Sequence, residues 1–176
     1  MIFEVEDIPE GGLNFDILAD KGQFGIDQPD CSLTAGIKVK GKLSRIGEDV
    51  TFSGDLHAPL QGVCTRCLKQ FPFDVKSKVQ VHFIPRAKEA SPGSEIEITE
   101  SDIDKEVYEE GRIDVTGPIR DQILLEVPLR NLCQEGCKGI CPDCGIDLNL
   151  SQCNCQNEGN IDPRLAVLKN FKDRLK

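Results

Sequence analysis

The chain has 176 residues, 39% of them hydrophobic, with no Trp, one Tyr and eight Phe. That is room for one domain or a domain with a small appendage, and a core lean enough for metal staples to matter. A formal net charge of −9 argues against indiscriminate polyanion binding, and no apolar run reaches the length of a membrane span.

The N-terminal MIFEVEDIPEGG lacks a basic stretch followed by an apolar one, so no signal peptide is expected. With nine cysteines and no export signal, the expectation is a reducing cytoplasm, where closely spaced cysteines bind metal or do redox chemistry rather than form structural disulfides.

Leu13, Phe15 and Ile17 alternate with polar residues and predict a short strand, followed by a loop over 20–30. Residues 32–46 read as one strand. Leu33, Ala35, Ile37, Val39 and Gly41 form its apolar phase, and Lys38, Lys40 and Lys42 its basic phase. A turn at Gly47–Asp49 leads into a second alternating strand, Val50 to Ala58. A third runs from Phe71 to Phe83, with Lys76 and Lys78 on its polar phase. The last two flank Cys64-Thr-Arg-Cys67, so a second hairpin folds around that pair. Three such strands on short connections predict an antiparallel meander.

Residues 86–105 read as an acidic surface loop overlapping an acidic stretch, 89–110, and Ile96 and Ile98 suggest a brief strand there. Another strand is expected within 108–115. Thr116 reads as a helix N-cap with Pro118 in the first turn. Ile119, Ile123 and Val127 form the apolar stripe, broadened by Leu124 and Leu125, until Pro128 ends the helix. A terminal helix starts at Asp162-Pro163, with Leu165, Leu168, Phe171 and Leu175 on one side. The fold class expected is therefore α+β: a meander sheet, two short helices and a cysteine-rich, zinc-ribbon-like segment. The expected organisation is a sheet domain over 1–130 and a cysteine-rich segment with the terminal helix over 131–176, packed as one unit.

Six cysteines fall between Cys133 and Cys155. Cys141-Pro-Asp-Cys144-Gly145 has the form of a zinc knuckle, in which Gly145 permits a positive φ and backbone amides point at sulfur. With Cys153 and Cys155 it makes a compact four-thiolate set. Cys133 and Cys137 lack local partners, and Cys64 and Cys67 complement them. The alternatives are four reduced thiols, or Cys137 exchanging into the compact set. One or two zinc ions are expected, and two full thiolate sets would leave no open position for a catalytic water. Cys31 is left over and reads as a buried small hydrophobe.

No nucleophile–base pattern and no phosphate loop is present, so no catalytic residue is assigned and a non-enzyme is expected. His57 and His82 fall on polar strand phases and read as solvated. A redox role for Cys64 and Cys67 would need a helix N-terminus beside them, where the sequence reads strand. The remaining candidate is a basic patch of Lys38, Lys40, Lys42, Arg66, Lys69, Lys76 and Lys78 able to contact phosphates, set against an ordinary solvated lysine face. It lacks exposed aromatics for base stacking.

The chain resembles the YceD family, the large ribosomal RNA subunit accumulation proteins. The resemblance is carried by Cys64-Thr-Arg-Cys67-Leu, Ile113-Asp-Val115, Ile123-Leu-Leu-Glu-Val-Pro128, the CKGICPDCG block with its following Leu148-Asn149, and Asp162-Pro-Arg-Leu-Ala166. It covers about residues 35–176. It implies a non-enzymatic protein supporting 23S ribosomal RNA accumulation in large-subunit biogenesis, in bacteria or plastids, with ribosomal RNA or a pre-50S particle as partner. A second expectation is an adaptor whose acidic segment docks ribosomal proteins, and a third is a thiol oxidoreductase. The family brings no catalytic residue and no RNA-contact residues.

Overall fold

The computed structural model describes residues 1–86 and 105–155. The terminal helix, the Ile96–Ile98 strand and most of the acidic stretch lie outside the described residues. Within them the chain is mostly sheet, with one α-helix and two short 3-10 turns. The strands are β1 (Ile2–Glu4), β2 (Leu13–Ala19), β3 (Asp27–Gln28), β4 (Cys31–Leu33), β5 (Ile37–Ile46), β6 (Asp49–Val63), β7 (Gln70–Pro85), β8 (Lys105–Tyr108) and β9 (Arg112–Asp114). The helix is α1 (Thr116–Glu126).

The two expected hairpins form the centre. Strands β5, β6 and β7 pair antiparallel in sequence order, and β6 sits in the middle. The β5–β6 turn is tight because Gly47 takes φ 65°. Strand β2 pairs antiparallel with β5 at one edge. Strand β8 pairs with the other edge of β7 in parallel, so the sheet is mixed rather than a pure antiparallel meander. Strands β1 and β9 form a separate antiparallel ribbon.

The strand expected over 32–46 is interrupted. Leu33 faces Leu60 and Lys38 faces His57, so β4 and β5 lie along the same edge of β6 with two extra residues between them. Those extra residues make a bulge at Thr34–Gly36. Ala35, assigned to the apolar phase by alternation, is exposed in it, and the phase resumes correctly at Ile37. The loop expected at 20–30 contains a 3-10 turn and the short strand β3, and it buries Phe24 and Ile26.

Every second residue of β6 points into one core: Val50, Phe52, Leu56, Ala58 and Leu60 are buried. Gly41 and Gly54 face each other between these rows, and a Cβ on Gly41 would meet the Phe52 ring at 2.6 Å. Their bareness lets Phe52 stack on Phe15, which contacts Phe3 of β1 in turn. Val5, Ile113, Val115, Ile119 and Ile123 complete the same core, so α1 and the β1–β9 ribbon cover one face of the sheet. Burying a side chain such as Ile119 or Ile123 contributes about 1.5–3 kcal/mol each.

Helix α1 differs from expectation in two details. Thr116 is its first helical residue, and its backbone N–H is taken by Asp114 Oδ1 at 2.9 Å, so Asp114 does the capping chemistry. Leu125 points away from the sheet and is 81% exposed, so the buried stripe is Ile119 and Ile123 flanked by partly buried Leu124 and Val127. The strand expected within 108–115 is present as β9 over Arg112–Asp114 only; Tyr108 ends β8, and a turn in which Glu110 and Gly111 both take positive φ lies between them.

Candidate metal centres and the lysine face

Eight cysteines gather into two groups of four. Cys64, Cys67, Cys133 and Cys137 form one, and Cys141, Cys144, Cys153 and Cys155 the other; within each group the sulfurs lie within 4.8 Å of one another. Cys137 joins Cys64 and Cys67 and does not exchange into the compact group. Cys31 is buried in the main core, apart from both groups, as expected.

The same local geometry builds one half of each group. In the first, Cys64 N–H donates to Lys69 O at 2.9 Å and Leu68 N–H donates to Cys64 O at 2.9 Å. In the second, Cys141 N–H donates to Ile146 O at 2.8 Å and Gly145 N–H donates to Cys141 O at 2.9 Å. The residue after the second cysteine takes positive φ in both, 59° at Leu68 and 74° at Gly145. The two C-x-x-C turns are thus knuckles of one design, and the first uses leucine where the second uses glycine. A leucine in the left-handed region costs roughly 1–2 kcal/mol, and Leu68 is 63% exposed, so its side chain returns little packing. Leu68→Gly is expected to raise stability by about 0.5–1 kcal/mol after the extra unfolded-state entropy of glycine is counted. Urea unfolding of the metal-loaded chain checks this, and an unchanged or lower midpoint would show that Leu68 is not a source of strain in the turn.

The donor set fits a tetrahedral soft metal. Cys64 Sγ lies 3.7 Å from Cys137 Sγ, and Cys67 Sγ lies 3.6 Å from Cys133 Sγ. A tetrahedral site with metal–sulfur bonds of about 2.3 Å has sulfur–sulfur edges of about 3.8 Å, whereas a disulfide needs about 2.05 Å. The electrostatics agree. Burial pushes the Cys64 thiol up, but the backbone amides of Cys133, Cys67 and Arg66 outweigh it and hold the pKa at about 6. Burial, with the neighbouring cysteines, pushes Cys133 up to about 12. In the second group the amides of Cys144 and Asp143 bring Cys141 down to about 7, while Cys144 and burial push Cys155 up to about 12. One sulfur of each group ionises readily, and a bound cation would compensate further thiolates. The low pKa that a redox cysteine would show is present at Cys64, but it arises from knuckle amides on a sulfur with no solvent exposure. Such a thiolate suits a ligand better than a nucleophile.

The surroundings of the two groups differ. The first is packed against Phe71 and Leu132 in a small apolar cluster of its own. The second is more open, and Cys144 is exposed. Arg66 ties them together: its Nη1 donates to Cys137 O at 2.7 Å, and its own carbonyl accepts from Ile140 N–H at 3.2 Å.

The lysines lie on the sheet face opposite the core. Register places Lys38, His57 and Lys76 side by side across β5, β6 and β7, with Lys40, Asp55 and Lys78 in the next row. Lys42 continues the β5 column. All five lysines are exposed. Lys38, Lys40, Lys76 and Lys78 surround an open trough of about 640 Å³ with Asp55 and His57 along its middle. Lys38 approaches Asp16 only to 4.0 Å. Arg66 and Lys69 are not part of this grid. They sit at the knuckle end of the β6–β7 hairpin, six or more residues along the strands from His57 and Lys76, roughly 20 Å away. Both histidines are half-buried on the polar face rather than simply solvated. His82 Nδ1 is 3.0 Å from Thr51 Oγ1, and His57 Nε2 is 3.2 Å from Asp74 Oδ1.

Two features escape a reading of the sequence. Asn149, which enters the sequence reading only as part of the block carrying the family resemblance, donates its side-chain amide to Cys137 Sγ at 3.4 Å. Asp55 lies between Lys40 and Lys78, a placement set by strand register.

Fold and site together define an open-faced β-sheet protein clasped by paired four-cysteine knuckles. The family of the large ribosomal RNA subunit accumulation protein YceD matches residues 52–172, and the chain belongs to that family. Among its relatives, an uncharacterized protein of Mycobacterium tuberculosis is 35% identical over 127 residues, 72% of this chain and 58% of the relative. The uncharacterized protein YlbN of Bacillus subtilis is 28% identical over 174 residues, covering 96% of this chain and 92% of YlbN. The chloroplastic large ribosomal RNA subunit accumulation protein YCED homolog 1 of Arabidopsis thaliana is 35% identical over 63 residues, 36% of this chain and 19% of the homolog. The chain thus spans little more than half the length of its mycobacterial relative. No solved structure matches it. Among the described residues no helix is long and apolar enough to cross a membrane.

Proposed function

We propose that this chain is a non-enzymatic zinc protein that supports 23S ribosomal RNA accumulation by binding RNA or a pre-50S particle through the lysine face. The carrying observation is the grid of Lys38, Lys40, Lys42, Lys76 and Lys78 on an exposed sheet face, in a chain whose formal net charge is −9. Local positive charge of this kind engages phosphates even when the whole molecule is acidic. The rows between Lys38 and Lys78 carry no Phe, Tyr or Trp, and their one imidazole, His57, is held by Asp74 at 3.2 Å, which favours backbone and shape recognition over base stacking. The family description, a large ribosomal RNA subunit accumulation protein, supplies the RNA class.

Zinc is the metal favoured by four thiolates in knuckle turns, and its role is structural, because all four ligand positions come from protein. The working location that follows is the cytoplasm, or the plastid for chloroplast relatives. Titration of the metal-loaded chain against 23S fragments across a salt series tests the RNA reading. Affinity that falls steeply with salt supports it. Absence of salt-dependent binding, with ribosomal proteins recovered after nuclease treatment, would shift the function to docking by the acidic segment.

A further inference from the structure

Asn149 stands at the junction of the two cysteine groups. In sequence it lies inside the loop of the second group, between Cys144 and Cys153, yet its amide Nδ2 donates to Cys137 Sγ of the first at 3.4 Å. Its Oδ1 accepts the Lys138 N–H at 2.8 Å, on the residue next to Cys137, and lies 3.4 Å from Gln134 Nε2. Asp147 Oδ1 accepts both the backbone N–H and Nδ2 of Asn149, at 2.8 and 2.7 Å, which fixes the orientation of the amide. An amide nitrogen carries two hydrogens, so Asp147 and the sulfur are served together.

We propose that Asn149 couples the two metal sites: closing the Cys141–Cys155 set holds the Asn149 amide on Cys137, so that metal in either site raises the affinity of the other. The inference rests on both groups binding metal. Groups that hydrogen-bond a ligand atom orient it and tune its basicity, and their loss costs about 10–100-fold in metal affinity. The loop that presents Asn149 is held by Leu148 N–H to Gly139 O at 2.9 Å and by a single bridge between Ile140 and Asp147. Four sulfurs drawn onto one ion would close that loop at its ends and remove most of its freedom. Linkage makes the effect reciprocal: if the second site raises the affinity of the first by some factor, the first raises that of the second by the same factor. Arg66 also touches both groups, so the test must separate the amide route from the backbone route.

The experiment is site-resolved thiol alkylation of the full zinc-loaded chain against increasing chelator, with mass spectrometry reading Cys64 and Cys67 separately from Cys141 and Cys144. Asn149→Ala leaves all eight thiols in place. It is expected to lower the chelator concentration at which Cys64 and Cys67 lose protection by roughly 10–100-fold. Breaking the second set with Cys144→Ser and Cys153→Ser is expected to lower it similarly, and adding Asn149→Ala to that variant to lower it no further. Asp147→Ala, which frees the amide without touching it, is expected to give a smaller shift in the same direction. Protection unchanged within about twofold in Asn149→Ala, or losses that multiply in the combined variant, would overturn the coupling while leaving the metal reading intact if the parent still counts two ions. A parent that binds no zinc would overturn both.

Discussion

Cys137→Ser is expected to remove one zinc ion per chain and several kcal/mol of stability, a substantial part of the roughly 10–16 kcal/mol with which a four-thiolate site binds its metal. The physical reason is position. Cys64 and Cys67 lie at the turn between β6 and β7, while Cys133 and Cys137 come after α1, so this site joins the end of the sheet's central hairpin to the segment beyond the helix. Cys64 and Cys137 are almost fully buried, and a polar hydroxyl without metal in place of the Cys137 thiol would sit beside the cluster formed with Phe71 and Leu132. Cys153→Ser is expected to cost far less global stability, because its group closes within residues 141–155 and is partly open to solvent. Urea unfolding followed by circular dichroism, paired with zinc counts, separates the two. Equal losses, or a Cys137→Ser chain as stable as its parent, would show that the first group does not clasp the sheet.

The second large effect concerns RNA. Reversing Lys40 and Lys78 to Glu turns the row Lys40–Asp55–Lys78 wholly acidic. Removing one phosphate-binding lysine lowers the steepness of log affinity against log salt by about one, so the double reversal is expected to flatten that slope by about two. Affinity for 23S fragments near 0.1 M salt is expected to fall by roughly 100-fold or more. Both side chains are exposed, but each glutamate would face Asp55 across a strand pair, so a cost of about 1–2 kcal/mol is expected, and circular dichroism must show the variant folded under the binding conditions. Lys69→Glu serves as the comparison, since it adds the same kind of charge at the knuckle end, off the grid. Filter binding reads all three chains. Equal losses from Lys69→Glu would move the RNA site to the hairpin end, and no loss from the double reversal would remove the lysine face from the function.

Much of this arrangement is legible in the chain. Period-two alternation marks β5, β6 and β7 because each has one buried and one exposed face. The knuckle at Cys141–Gly145 announces itself through its glycine, and Cys64 and Cys67 are legible as complements of Cys133 and Cys137 once the compact set is counted off, while the exchange of Cys137 into that set is excluded only by the three-dimensional grouping. What stays hidden has physical reasons. Alternation assumes an unbroken phase, so the bulge at Thr34–Gly36 puts Ala35 on the wrong face. Strand β8 is four residues with three of them exposed, and nothing in Lys105–Tyr108 encodes a parallel partner. Leu68 masks a positive φ that glycine would signal. Charge alone groups Arg66 with the lysines, but its guanidinium faces the Cys137 carbonyl.

The two knuckles, alike in shape, differ sharply in how far along the chain their ligands are drawn from. The second takes its ligands from residues 141–155, so a short flexible segment suffices to close it, and nothing else need be folded first. The first spans Cys64 to Cys137, with all of β7 and α1 lying in the chain between its ligands. Loop-closure entropy grows slowly with length, so the distinction between them is mainly one of timing. A refolding chain offered scarce metal would fill the short-range knuckle early and the long-range one last, making capture of the second ion the step that reports a completed sheet.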